Sequence, residues 1–222
     1  MQYTLRFRSV WQNFDYITEG VKFTLFVSLA GVAIGIILGI IAAVCKSSRH
    51  KILSFLATAY IELFRNTPLL VQLWLFYFGL AQIGIDMTAL QCGVLALGIN
   101  AGAYIGEVVR AGMEAIDKQT LEAAVSLGFR PWLTLRKIQL PLALRAVMPA
   151  IGNNVIQILL ASSLLSNLGI NELTNQALRL SSKTFRSFET FIVTAVLYMV
   201  IAFLYSAVIG LIKKLAFRGS LH

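Results

Sequence analysis

Charged residues are absent from five stretches of this chain: 23–45, 66–85, 87–106, 146–171 and 190–212, each at least 20 residues long. A bilayer core about 30 Å thick needs about 20 helical residues to cross it, because only a helix satisfies its own backbone polar groups in lipid. The pattern therefore predicts five membrane-spanning helices. A shorter apolar stretch, 52–64, is too short to span alone. It reads as an interfacial helix or as an extension of the second span, since Arg65-Asn66-Thr67-Pro68 interrupts it with a charge and a helix starter.

Five spans place the two termini on opposite sides. Lys and Arg divide 13 against 6 between the two sides, the richer one carrying Lys46, Arg49, Lys51, Arg65, the 107–145 segment and Lys213, Lys214 and Arg218. By the positive-inside rule that side is cytoplasmic, so the N-terminus is expected outside. Arg179, Lys183 and Arg186 in the 172–189 loop run against the bias. Residues 1–22 do not read as a cleavable signal, because Asp15 and Glu19 precede an apolar run that is too long.

Composition agrees with this picture: 58% of the 222 residues are hydrophobic and 13% charged, and the mean hydropathy is +0.77. A soluble domain needs more polar side chains to cover its outside. The net charge of +9 comes without any nucleic-acid motif, and in so apolar a chain it fits loops facing anionic lipid. Cys45 and Cys92 fall at opposite ends of the predicted spans and read as buried thiols. With only His50 and His222, no metal site is expected.

Glycines recur every fourth residue at Gly31, Gly35 and Gly39, and again at Gly98, Gly102 and Gly106. This spacing lets two helix backbones approach closely, within one bundle in preference to a subunit interface. In the fourth span, Asn153, Asn154, Gln157, Ser162, Ser163, Ser166 and Asn167 interrupt an otherwise lipid-compatible run. They either line a hydrated pathway or hydrogen-bond between helices. Pro141 and Pro149 each remove a backbone donor, which suits a kink or hinge; Arg65 and Pro68 are the other gate or hinge candidates.

The segment 107–145 is patterned like structure rather than loop. Residues 113–127 suit a short amphipathic helix, with Met113, Ile116, Leu121, Val125 and Leu127 set among Asp117, Lys118 and Glu122. Ala123 and Ala124 are small enough to admit a partner surface. Gly128 is placed to end the helix in a left-handed cap, and Pro131 to start the next one.

From Glu122-Ala123-Ala124 through Gly128 to Leu140-Pro141, the chain resembles the EAA loop of bacterial ABC importer permeases. Gly20 to Leu25, the run Phe64 to Gln72 and the run Ala103 to Gly112 extend the likeness to the polar amino acid branch, which includes histidine, glutamate, glutamine, arginine and opine importers. The resemblance covers roughly residues 14–218. It implies an all-α integral membrane protein with the type I importer permease fold, a single permease domain over 1–222, in the bacterial inner membrane. It further implies a coupling element near 113–130, where Glu122, Ala123, Ala124 and Gly128 dock on a cytoplasmic ATPase dimer. A second permease chain, identical or related, and an external substrate-binding protein complete the expected assembly.

No Gly-x-x-x-x-Gly-Lys-Ser/Thr phosphate loop occurs, so ATP and Mg belong on the partner, and this chain reads as a non-catalytic subunit without a cofactor of its own. The alternatives are an ion-coupled secondary transporter or channel, which needs an intramembrane ionisable group that the charge-free spans lack, and an intramembrane enzyme, for which Ser162 and Ser163 have no nearby base. The chain departs from the branch at Gln119-Thr120, where Gly-Gln is usual, and at Leu160-Ala161-Ser162-Ser163-Leu164, where Lys-Asp-Thr-Ser-Leu is common. Asn154 likewise stands where members taking cationic amino acids can carry an acid. A cationic substrate would lack its counter-charge in this subunit's own pocket.

Overall fold

The computed structural model describes residues 4–216 and is helical throughout its regular structure. In chain order the helices are α1 (Arg8–Trp11), α2 (Phe14–Lys46), α3 (Lys51–Arg65), α4 (Leu69–Gln82), α5 (Ala89–Glu114), α6 (Lys118–Ser126), α7 (Pro131–Leu168), α8 (Leu173–Thr184) and α9 (Ser187–Ala216). Arg218 and His222 lie outside the described residues.

The two glycine triplets meet each other. A Cβ added at Gly35 would come within 2.6 Å of Ala101 Cβ, one at Gly39 within 2.7 Å of Ile105, and one at Gly106 within 3.2 Å of the Gly39 carbonyl oxygen. Gly31 faces Leu97 and Gly98 in the same register. Contacts that advance together along both helices mean that α2 and α5 run parallel, at a separation only glycine permits. The preference for packing within the bundle holds.

Parallel packing has a topological consequence. After α2 ends, the chain must return the length of the bundle before α5 can begin, and α3 and α4 make that return. Only α2, α5, α7 and α9 are single helices long and apolar enough to cross a membrane among the described residues. The predicted second span at 66–85 is thereby corrected: Leu69–Gln82 is too short to be one, and the return along the bundle is built from two pieces. Pro68, extended at ψ 135°, ends one helical path and starts the next, since its ring disfavours helix at Thr67 and it has no N–H to donate.

Two further features depart from uniform α-helix. In α7 the turn at Leu135–Gln139 widens to π geometry just before Pro141, whose ring would crowd the carbonyl four residues earlier. Pro149 lies inside the same helix. Beyond Ala161 the chain tightens to a 3-10 helix over Ser162–Leu168, which ends at Gly169 with φ +71°.

At the end of the bundle opposite α6, a buried polar knot holds α8 in place. Glu172, fully buried, caps α8 by accepting from the N–H groups of Thr174 at 2.8 Å and Asn175 at 2.7 Å, and from Tyr198 Oη at 2.8 Å. Burial pushes its carboxyl above the ordinary value, and these donors oppose that rise. Thr24 Oγ1 accepts from Leu173 N–H at 3.0 Å, tying α2 to the same knot.

Gly35→Val is expected to cost about 1 to 3 kcal/mol through overpacking against Ala101, read as a lower melting temperature in detergent. Gly210→Ala, where an added Cβ meets nothing within 4 Å, is the matched control and should melt like the parent.

Candidate functional site

The short helix expected before Gly128 forms, with one boundary moved. Met113 is buried near the end of α5, and a separate helix, α6, begins after Asp117, whose Oδ1 accepts from Gln119 N–H at 3.1 Å. The expected helix over 113–127 is thus two helices. Asp117 is the reason: its side-chain cap favours a new helix start over continuation. Gly128 takes φ +80°, its N–H reaching Val125 O at 2.9 Å while Phe129 N–H reaches Ala124 O at 3.1 Å. These bonds close α6 in a left-handed cap, as its position indicated. Pro131 then opens α7.

Little of α6 is covered. Ala124 alone is buried, whereas Glu122 and Ala123 are exposed. Around the Gly128 turn, Val125 is 67% exposed, Leu127 77% and Trp132 66%. These apolar side chains stand open on both sides of the turn, at the end of the bundle.

The polar candidates of the fourth span separate into groups. Asn154 and Gln157 line a cavity of about 180 Å³ together with Asn100 and Tyr104 of α5, Leu69 of α4 and Ala161. Asn153 instead opens on another cavity of about 240 Å³, beside Pro149, Ser206 and Lys213. Neighbours in sequence on a helix point about 100° apart, so one span can serve two faces. Ser162 is wholly buried, its Oγ donating to Leu159 O at 2.7 Å, and Ser163 Oγ donates to Leu160 O at 2.7 Å. Ser166 and Asn167 also bond carbonyls three residues back. This run closes local hydrogen bonds in the 3-10 segment, and neither Ser162 nor Ser163 lines the Asn154 cavity.

The helix break lies beside the Asn154 cavity. Gln72, 3% exposed, donates through Nε2 to Phe64 O at 2.9 Å, Thr67 O at 3.0 Å and Thr67 Oγ1 at 2.8 Å. Asn100 Nδ2 donates to Phe64 O at 3.0 Å and Gln72 Oε1 at 3.1 Å. Carbonyls released by the break are thereby satisfied inside the bundle. The guanidinium of Arg65 lies 5.5 Å from the centre of the Tyr104 ring, a cation–π arrangement, and its Nε is buried without a hydrogen-bond partner. Arg65 and Pro68 therefore flank both break and cavity, while Pro141 lies apart, near α6. Arg65 does not pair with Glu62, contrary to what their spacing suggests; Glu62 accepts from Asn66 and faces Lys46.

Gln72, Asn100 and Tyr104 went unassigned by sequence reasoning. An amide in a charge-free span was the available signal for the first two, the same one that marked Asn154. A cavity of about 550 Å³ between α2, α7 and α9 is walled by aliphatic residues such as Val32, Ile36 and Val155. Its one hydroxyl, on Tyr205, is turned to Ser28 at 2.9 Å. A polar solute finds no partner there. No cluster of His, Cys, Asp or Glu able to hold a metal occurs among the described residues.

Long apolar helices, a small polar cavity between them and an exposed capped helix at one end define a membrane transport subunit. Residues 35–217 match the binding-protein-dependent transport system inner membrane component family, and the chain belongs to it. It is 35% identical over 200 residues to the putative glutamine transport system permease protein GlnP of Rickettsia bellii, covering 90% of this chain and 92% of that one. It is 34% identical over 198 residues to the arginine transport system permease protein ArtQ of Bacillus subtilis, covering 89% and 90%. A crystal structure of an amino acid ABC transporter with histidines superposes with a TM-score of 0.87 at 38% identity, over 96% of this chain and 99% of that one. The chain is thus a permease subunit of an ABC importer, a multi-pass protein of the inner membrane.

Gln72→Leu should take the donor from Thr67 O and Oγ1 at the helix break, while Asn100 still holds Phe64 O, each buried unsatisfied group costing about 1 to 3 kcal/mol. A lower detergent melting temperature together with reduced uptake is expected, and an unchanged melting curve would show that the break is held by other contacts.

Proposed function

We propose that this chain, as one transmembrane domain over residues 1–222, forms half of the pathway by which an ATP-driven importer moves polar amino acids inward. Supporting the substrate class are the glutamine and arginine names of its relatives. In this reading the N-terminus is outside and α6 is cytoplasmic, as the Lys and Arg asymmetry favours, and the α3–α4 pair completes a fifth crossing.

Each copy of a cytoplasmic ATPase dimer grips one permease at 113–130. The observation that carries this is the open, capped α6 with Val125 exposed on it and Leu127 and Trp132 exposed on either side of the Gly128 turn. Glu122, exposed at mid-helix, anchors the contact, Ala123 and Ala124 admit the partner closely, and Gly128 sets the turn. ATP and Mg act on the ATPase. Closure of the ATPase pair tilts the permeases between inward- and outward-facing states, with Pro141 and the Arg65 to Pro68 break as hinges. A second permease chain completes the pathway, and an external binding protein delivers the substrate.

Asn154 and Gln157, with Asn100 and Tyr104, offer neutral hydrogen-bonding groups to the solute. Without a carboxylate at Asn154 or Ala161, the cavity favours amino acids with uncharged side chains over guanidinium or ammonium ones. Asn153, on the other face of α7, is assigned no solute contact.

In proteoliposomes containing the permease pair, ATPase and binding protein, Glu122→Lys should abolish ATP-driven uptake and ATPase co-purification while the permease still inserts. Normal uptake would remove Glu122 from the docking surface. Asn154→Leu should lower uptake about tenfold or more, as loss of a buried polar contact does, while ATP hydrolysis persists. Unchanged uptake kinetics would reduce Asn154 to helix packing.

A further inference from the structure

Where α2, α3 and α5 converge near α6, a chain of charged side chains links helices that are distant in sequence. Lys46, the last residue of α2, places Nζ 2.9 Å from Glu107 Oε2 and 3.9 Å from Glu62 Oε1. The other oxygen of Glu107 accepts from Arg110 Nε at 3.0 Å and Nη2 at 2.5 Å. Arg110 Nη1 in turn pairs with Glu114, the last residue of α5. At the far end, Glu62 Oε2 accepts from Asn66 Nδ2 at 3.0 Å. One terminus of this chain is the helix break beside the Asn154 cavity, and the other lies three residues before Asp117, the cap of α6.

Exposed ion pairs contribute little, but these are not fully exposed. The side chains of Lys46, Glu107 and Arg110 are 16%, 21% and 21% exposed. Removing one partner strands a partly desolvated charge, so the groups hold one another in register. Lys46 is also placed asymmetrically, at hydrogen-bond distance from the carboxylate on α5 and just beyond it from the carboxylate on α3. A slide of α3 along α5 by about an ångström, the scale of ordinary helix shifts, exchanges one partner for the other. Two discrete arrangements of this kind are what energetic coupling between distant sites requires.

We propose that Lys46 with Glu107, and with Glu62 as the alternate partner, is a positioning latch that carries displacement of α6 to the helix break at Asn66 to Pro68 and so to the cavity. This rests on the permease reading given under Proposed function. None of the three residues touches the solute. Their role is to make α3 follow α5.

The test is the ratio of substrate taken up to ATP hydrolysed in proteoliposomes, alongside ATPase co-purification. Lys46→Gln and Glu107→Gln should each keep the ATPase bound and hydrolysing while uptake per ATP falls about tenfold, and the double variant should be no worse than the more impaired single. Lys46→Arg should retain coupling. Glu62→Gln removes the charge of the alternate partner, from a side chain 54% exposed, while its amide oxygen can still accept from Asn66, and so leaves the packed interior intact; it too should lower uptake per ATP. Wild-type ratios in Glu62→Gln, or losses that multiply independently in the Lys46 and Glu107 double variant, would overturn the latch. Loss of ATPase binding in the single variants would overturn it as well, by assigning the cluster to docking. Failure of the unmodified protein to bind any ATPase would instead remove the permease reading, a distinguishable result.

Discussion

The close approach of α2 and α5 along their glycine seam is the constraint on which the remaining structure depends. In lipid no hydrophobic effect drives two apolar helices together, so association relies on van der Waals contact and hydrogen bonds, both of which need short distances. Gly31, Gly35 and Gly39 meeting Gly98, Gly102 and Gly106 supply that distance in one register. Any larger residue at Gly35 would push against Ala101 and its backbone. Because the seam is parallel, it also dictates that the intervening chain cross back, which makes the α3–α4 pair a necessity of topology.

Along that return the polar side chains of the candidate site gather. A helix broken in mid-course leaves carbonyls to satisfy, and Gln72 and Asn100 satisfy them from within the bundle. The same interruption brings Leu69 to the wall of the polar cavity and sets Arg65 over the ring of Tyr104, which also lines it. At the end carrying α6, charged side chains join the three helices that the seam and the return crossing have brought together. A closely packed pair of helices and a return in two pieces thus follow from a single packing decision.

Much of this was legible in the residues. The apolar runs located every long helix, Gly128 and Pro131 marked the end of α6 and the start of α7, and the Glu122 to Pro141 pattern pointed to the family. The two-piece crossing was read only halfway, as an extension that Pro68 interrupts, because hydropathy measures transfer to lipid and says nothing about where a chain must travel. The polar run from Ser162 was ambiguous for a related reason. A hydroxyl in an apolar span needs a partner, and composition cannot distinguish a cavity from the carbonyl three residues back.

What the sequence by itself determined is whatever depends on local chemistry: helix lengths set by the bilayer, caps set by Asp117 and Gly128, breaks set by Pro68, and the side on which positive charge collects. Tertiary structure alone decided which helices meet, that Asn154 and Asn153 serve different faces, and that Lys46 finds Glu107 while Arg65 stacks on Tyr104. The physical reason is range. Caps, breaks and hydropathy act within a turn or two of helix, whereas partner choice depends on the distance and rotation between helices far apart in the chain, and here those were set by the glycine seam.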